Sequence, residues 1–212
     1  MVYVINIVVN QLKLIGKKKY KVCDMKKIMF NDRYGLTDSV LSSKKTQTRR
    51  LVSNDIPLGN LAETEKHAHY KIGEVVAIAQ AYKDIPKIAE TNFIDVDWER
   101  TAKNKPFGRW GCASRLPGWH NKMFVRADVM PNHIKITNIH IERLQDISDD
   151  DCLAEGIYRI CDFWCFNDIK KDDFGHYKTP REAYAALIDK ICGKGTWNSN
   201  PLVWVYDFEL IK

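Results

Sequence analysis

The absences in this chain narrow its class first. No C-x-x-C pair occurs in the 212 residues, and the six cysteines, at 23, 112, 152, 161, 165 and 192, are scattered through a chain too long for a disulfide framework. They read as free thiols of a reducing compartment. No apolar run approaches the roughly 18 residues that a bilayer-spanning helix needs. The first 19 residues run apolar first and basic after, the reverse of a secretory leader. The expected setting is cytoplasmic, with no membrane partner. Internal repeats and low-complexity tracts are missing too, which argues against solenoids and disordered arrays. Excess charge is also scarce beyond the N-terminal segment. Residues 1–24 hold five lysines and one acid, a net +4, which leaves +2 of the chain's +6 for all the rest. That balance gives little support to bulk attraction for a polyanion and leaves room for a local basic patch.

What is present is an ordinary globular composition, 45% apolar and 28% charged, in a chain long enough to bury a core without staples. Segment 1–24 reads either as a basic arm touching nucleic acid or as an extension upstream of a clean start at Met25, and it is expected to be dispensable for folding. The remainder, 25–212, reads as one domain. Apolar runs and alternation predict strands at 27–30, 46–52, 74–82, 123–128, 134–144 and 202–210. Within 134–144 the isoleucine alternation slips phase between Ile136 and Ile139, which predicts a β-bulge. A helix is predicted at 32–42. A short one follows Ser148, whose hydroxyl and the next three aspartates suit a helix N-terminus, and it ends near Gly156. Another opens at Thr179, where a hydroxyl cap, Pro180 and Glu182 spell a helix start, and stops at Gly193. Stretch 83–120, punctuated by Pro86, Pro106 and Pro117, reads as an irregular insertion or a functional loop. Strands with a few interspersed helices predict an α+β fold around a curved sheet or barrel.

Three stretches carry a resemblance: KKTQTRR at 44–50, ERLQDISDDDCLAEGI at 142–157 and NSNPLVWVYDFEL at 198–210. In this order, with a Gly73-Glu74 strand between the first two, they resemble the ASCH family of phage and prophage genomes, over roughly residues 26–211. The resemblance implies a PUA-like β-barrel with flanking helices, and RNA or a modified nucleoside as ligand. Ser43 stands where the family usually has glycine. An R-E-T-W-like segment of many relatives reads Ala79-Gln80-Ala81-Tyr82 here. Only its aromatic, Tyr82, is carried over as a candidate ligand contact. A phage accessory role with a protein partner stands as a further alternative.

Some ASCH proteins are small amidohydrolases that remove the acetyl group from N4-acetylcytidine. The resemblance places their lysine, threonine and glutamate on Lys45, Thr48 and Glu155. These types suit amide hydrolysis: a hydroxyl nucleophile, a base whose pKa burial lowers, and a carboxylate to orient it. If all of 45–48 were strand, Lys45 and Thr48 would face opposite ways, so the pairing requires a turn before Thr48. Arg49 and Arg50 offer planar forks for phosphate or a base edge, with Arg50 favoured because it shares a face with Thr48. Trp119, Asn121 and Lys122 combine an aromatic, an amide and a cation, suited to stacking and reading a base, or else form an ordinary loop with Trp119 in the core. Cys161, Cys165 and His176 have no common zinc spacing, so neither metal nor cofactor is expected.

Overall fold

The computed structural model describes residues 25–53, 66–92, 94, 112–169 and 174–211. The arm at 1–24 and positions 93 and 95–111 of the irregular stretch lie outside the described residues. Five strands form one sheet: β1 (Lys27–Ile28), β2 (Gln47–Leu51), β3 (Val75–Ile78), β4 (His133–Arg143) and β7 (Leu202–Ile211). Their order is β1-β3-β4-β7-β2, with β1 parallel to β3 and every other neighbour antiparallel. A separate hairpin joins β5 (Tyr158–Ile160) to β6 (Phe163–Cys165). The helices are α1 (Leu36–Leu41), α2 (Pro86–Thr91), α3 (Asp149–Ala154), α4 (Pro180–Cys192) and α5 (Thr196–Ser199). The architecture is α+β. Among the described residues the sheet stays open, since no ladder joins β1 to β2. A side chain bridges the two edges instead: Arg50 Nη2 donates to the Met29 carbonyl at 2.6 Å.

The long strands follow the apolar pattern. On β4, Ile134, Ile136 and Ile139 are buried, and the register against β7 shifts between Ile136 and Asn138. The slip read from the isoleucines is therefore a bulge, which sets Thr137 and Asn138 out to solvent. β7 lies between β4 and β2, and Val203, Trp204, Val205, Tyr206 and Phe208 are all buried. A strand covered on both faces has no polar side, which is why its sequence reads as a nearly continuous apolar run. Thr179 caps α4 by accepting from Glu182 N at 3.1 Å. The Glu182 carboxylate accepts from Lys178 N at 3.0 Å, so the return half of the cap falls one residue before Thr179.

Residues 123–128 are not a strand. Two 3-10 turns, Lys122–Phe124 and Ala127–Val129, occupy this segment, and the Asn121 side chain caps the first by accepting from Met123 N. Alternation misled here because Met123 and Phe124 both stand 58% exposed, while burial falls to Val125 and Met130. These two pack on the outer face of β3, where Ala77 and Ala79 are small enough for a second apolar cluster with Tyr82, Ile85 and Ile88 to close over them. Val76 and Ile78, on the other face of β3, join the main core. Part of 83–120 is also ordered into α2, with Pro86 at its first turn and Asn92 ending it at φ 49°.

His133 opens β4 almost fully buried, and that burial lowers its pKa from 6.5. The folded state then binds fewer protons than the unfolded chain just below about pH 6.5, so stability is lost as pH falls through that window. Replacing His133 with glutamine is expected to flatten this dependence. Urea midpoints compared between about pH 7.5 and about pH 5.5 check it; an equal acid loss in both proteins would assign the effect elsewhere.

Candidate functional site

The site begins where α1 stops. Ser43 follows its last turn at φ 59°, a left-handed conformation. The next two amides, of Lys44 and Lys45, both donate to the Ser39 carbonyl, at 2.8 and 2.9 Å. Thr46 N then donates to the Ala154 carbonyl at 2.9 Å, tying this turn to the end of α3. Lys45 therefore precedes β2 rather than belonging to it, and the two-residue alternation of a strand does not govern its direction. A serine in this conformation is strained where glycine would not be. Ser43→Gly is expected to raise stability by about 1 kcal/mol, read as a higher thermal midpoint; a fall would show that the serine side chain contributes more than the backbone loses.

Glu155 arrives from the other side. Ser148 caps α3 and Asp151 returns the bond to the Ser148 amide. Glu155 is the helix's C-terminal cap, and Gly156 continues at φ 101°. A Cβ on Gly156 would lie 3.4 Å from Leu36 and 3.8 Å from the Lys45 stem, ordinary van der Waals contact, so the positive φ rather than crowding favours glycine here. Lys45 is 1% exposed and Glu155 5%. The Lys45 ammonium donates to the Glu155 carbonyl at 2.8 Å and to its Oε2 in a short contact. Burial pulls the Lys45 pKa below its ordinary value, against the opposing pull of Glu155.

Both arginines of the motif line the same cavity as Lys45, Thr48 and Glu155. Arg49 is buried and bridges three groups: Nε donates to Glu142 Oε1 at 2.7 Å, and Nη1 donates to Glu155 Oε1 at 3.3 Å and to Gln47 Oε1. Burial works against its charge, but Glu155, Tyr184 and Glu142 outweigh it and hold the Arg49 pKa up. Arg50 projects at the cavity mouth over the Phe30 ring, 6.0 Å from its centroid, and no ion pair joins it to a carboxylate among the described residues. Strand alternation alone would have put only one arginine at the cavity, but Gln47, Thr48 and Arg49 are all buried, and this end of β2 is covered by the cavity and by α3.

The cavity measures about 700 Å³. Its apolar wall comes from Phe30, Leu36, Leu187, Ile188 and Val203, and Lys122 reaches it from the far side, held by Asp32 at 2.6 Å. Tyr184, whose pKa burial drives well above the ordinary value, also lines it. α4 thus supplies both core and cavity wall, whereas its apolar face alone reads only as core. The structure does not bring Tyr82, Trp119 or Asn121 here. Tyr82 sits in the second cluster with its hydroxyl accepting from Arg126 N at 2.9 Å, Trp119 packs against that cluster, and Asn121 serves as a cap. Arg33 is an unforeseen neighbour at the cavity edge, bound twice by the buried Asp168 at 3.0 and 3.1 Å.

No group of three histidine, cysteine or acidic side chains that could hold a metal occurs among the described residues. No helix among them is long and apolar enough to cross a membrane. Comparison with protein-family models, with curated proteins and with solved structures finds no match.

Proposed function

We propose that this chain is an ASCH-type, PUA-like domain whose cavity binds the base of a modified nucleoside, free or within RNA. The observation that carries the reading is the cavity itself. A volume of about 700 Å³ with an apolar wall and a few convergent polar groups is the form of a small-ligand site. The residues at its polar end come from two of the three stretches on which the resemblance rests. Phe30, Leu187 and Ile188 would hold the faces of a base. The Thr48 hydroxyl can donate or accept, and Glu155 can accept from an exocyclic amine. Arg50, free of carboxylates among the described residues, suits a phosphate or base edge at the mouth.

Titration calorimetry with cytidine, N4-acetylcytidine and a short single-stranded RNA tests this. Binding by at least one, weakened about tenfold or more in Arg50→Gln, is the expected result. No heat from any of them at about 1 mM would overturn it, since that bounds affinity near 4 kcal/mol.

A second reading, an amidohydrolase acting on an acylated nucleoside, rests on the lowered proton affinity of Lys45, the direction a general base needs. No hydrogen bond joins the Thr48 hydroxyl to Lys45 or Glu155, so in this state the nucleophile is not yet engaged. Release of cytidine from N4-acetylcytidine, abolished in Thr48→Val, would establish it. Binding without release would leave the first reading alone.

A further inference from the structure

We infer that Arg49 and Glu142 are positioning residues for the Lys45–Glu155 pair, which they fix through a line of alternating charge, buried except at the half-buried Glu142. The inference deepens the cavity reading but rests on geometry that needs no ligand. Glu155 has two carboxylate oxygens, and each is claimed by a different cation. Oε2 receives the Lys45 ammonium, and Oε1 receives Arg49 Nη1 at 3.3 Å. Rotation of the carboxylate away from the lysine would break both contacts. Arg49 in turn is fixed at its other edge, where Nε donates to Glu142 Oε1 at 2.7 Å.

The guanidinium is fully buried in its side chain, and Asp151 Oδ2 lies 3.3 Å from Nη2. Yet Nη2 makes no hydrogen bond, although it is shut off from solvent. A buried donor left without a bond costs free energy. The arginine therefore is not placed where its own bonding is best satisfied; Nε and Nη1 hold it in line between Glu142 and Glu155. Glu142 does not line the cavity. The charged contact that leads from it toward the lysine is the one to Arg49.

The test uses the full chain and reads Lys45 directly. Each protein is treated with an amine-acylating reagent, and labelling at Lys45 is followed by peptide mass spectrometry. In the wild type Lys45 is expected to resist labelling. In Glu142→Leu, which removes the anchor of Arg49 without touching the cavity, Lys45 is expected to label at least about tenfold faster. Glu142→Gln keeps an oxygen that can accept from Arg49 Nε and is expected to restore protection. Val76→Ala, a core truncation on β3 away from the line, controls for general loosening and should leave Lys45 protected. Unchanged protection in Glu142→Leu, or equal labelling in Glu142→Leu and Val76→Ala, would overturn the inference. Nucleoside titration of the same variants keeps the two proposals apart: failure to bind in the wild type sinks the cavity reading alone, while altered labelling still upholds the line.

Discussion

Lys45→Met is expected to destabilise the fold by about 3–5 kcal/mol, far more than loss of a surface lysine would cost. The ammonium and the Glu155 carboxylate are both buried, and removing one leaves the other charged and away from water. Arg49 remains 3.3 Å from Glu155, which places the expected loss at the lower end of the range. Adding Glu155→Gln to Lys45→Met should return most of the loss, because the orphaned charge goes with it. Urea unfolding of the wild type and both variants reads this out. If Lys45→Met stays within about 1 kcal/mol of the wild type, the pair is open to water and its burial is not what holds the turn at Ser43 against α3.

Phe208→Ala is expected to cost about 3–5 kcal/mol, a core truncation at a site that cannot collapse. Phe208 is 4% exposed on β7, between two neighbouring strands, and its ring meets Phe30 at 5.7 Å between centroids. Phe30 also lines the cavity and lies under Arg50. The truncation should therefore weaken any ligand as well as the fold. A loss below about 1 kcal/mol would mean that the strand is peripheral, contrary to its position in the sheet.

Much of the frame was legible because the long elements obey simple rules. Four isoleucines with one slip located a strand and its bulge, and Ser148 and Thr179 located two helix starts. That Lys45, Thr48 and Glu155 share one cavity was expected from the family resemblance alone; the residues themselves added only the requirement for a turn between lysine and threonine. What escaped did so for identifiable reasons. Arg49 looked like the wrong face of a strand because alternation assumes one dry side, and here α3 covers the other. Tyr82 and Trp119 looked available for stacking, but Ala77 and Ala79 leave a shallow face on β3 that a second layer fills, and both aromatics belong to it. The β5–β6 hairpin turns at Cys161 and Asp162, with Cys161 at φ 50°, and carries none of the asparagine–glycine chemistry that announces such turns.

The place of β7 between β4 and β2 has a kinetic consequence. β2 can find its hydrogen-bonding partner only in a segment about 150 residues further along, and Lys45 and Glu155 are themselves 110 residues apart. Pairings of such long range close large loops before any contact rewards them, so this sheet should fold slowly for its size. During synthesis the edges of β4 and β2 that β7 will pair stay bare until β7 has been made. Cavity and fold then arrive together in one late, cooperative step, and a chain interrupted before Leu202 would hold neither.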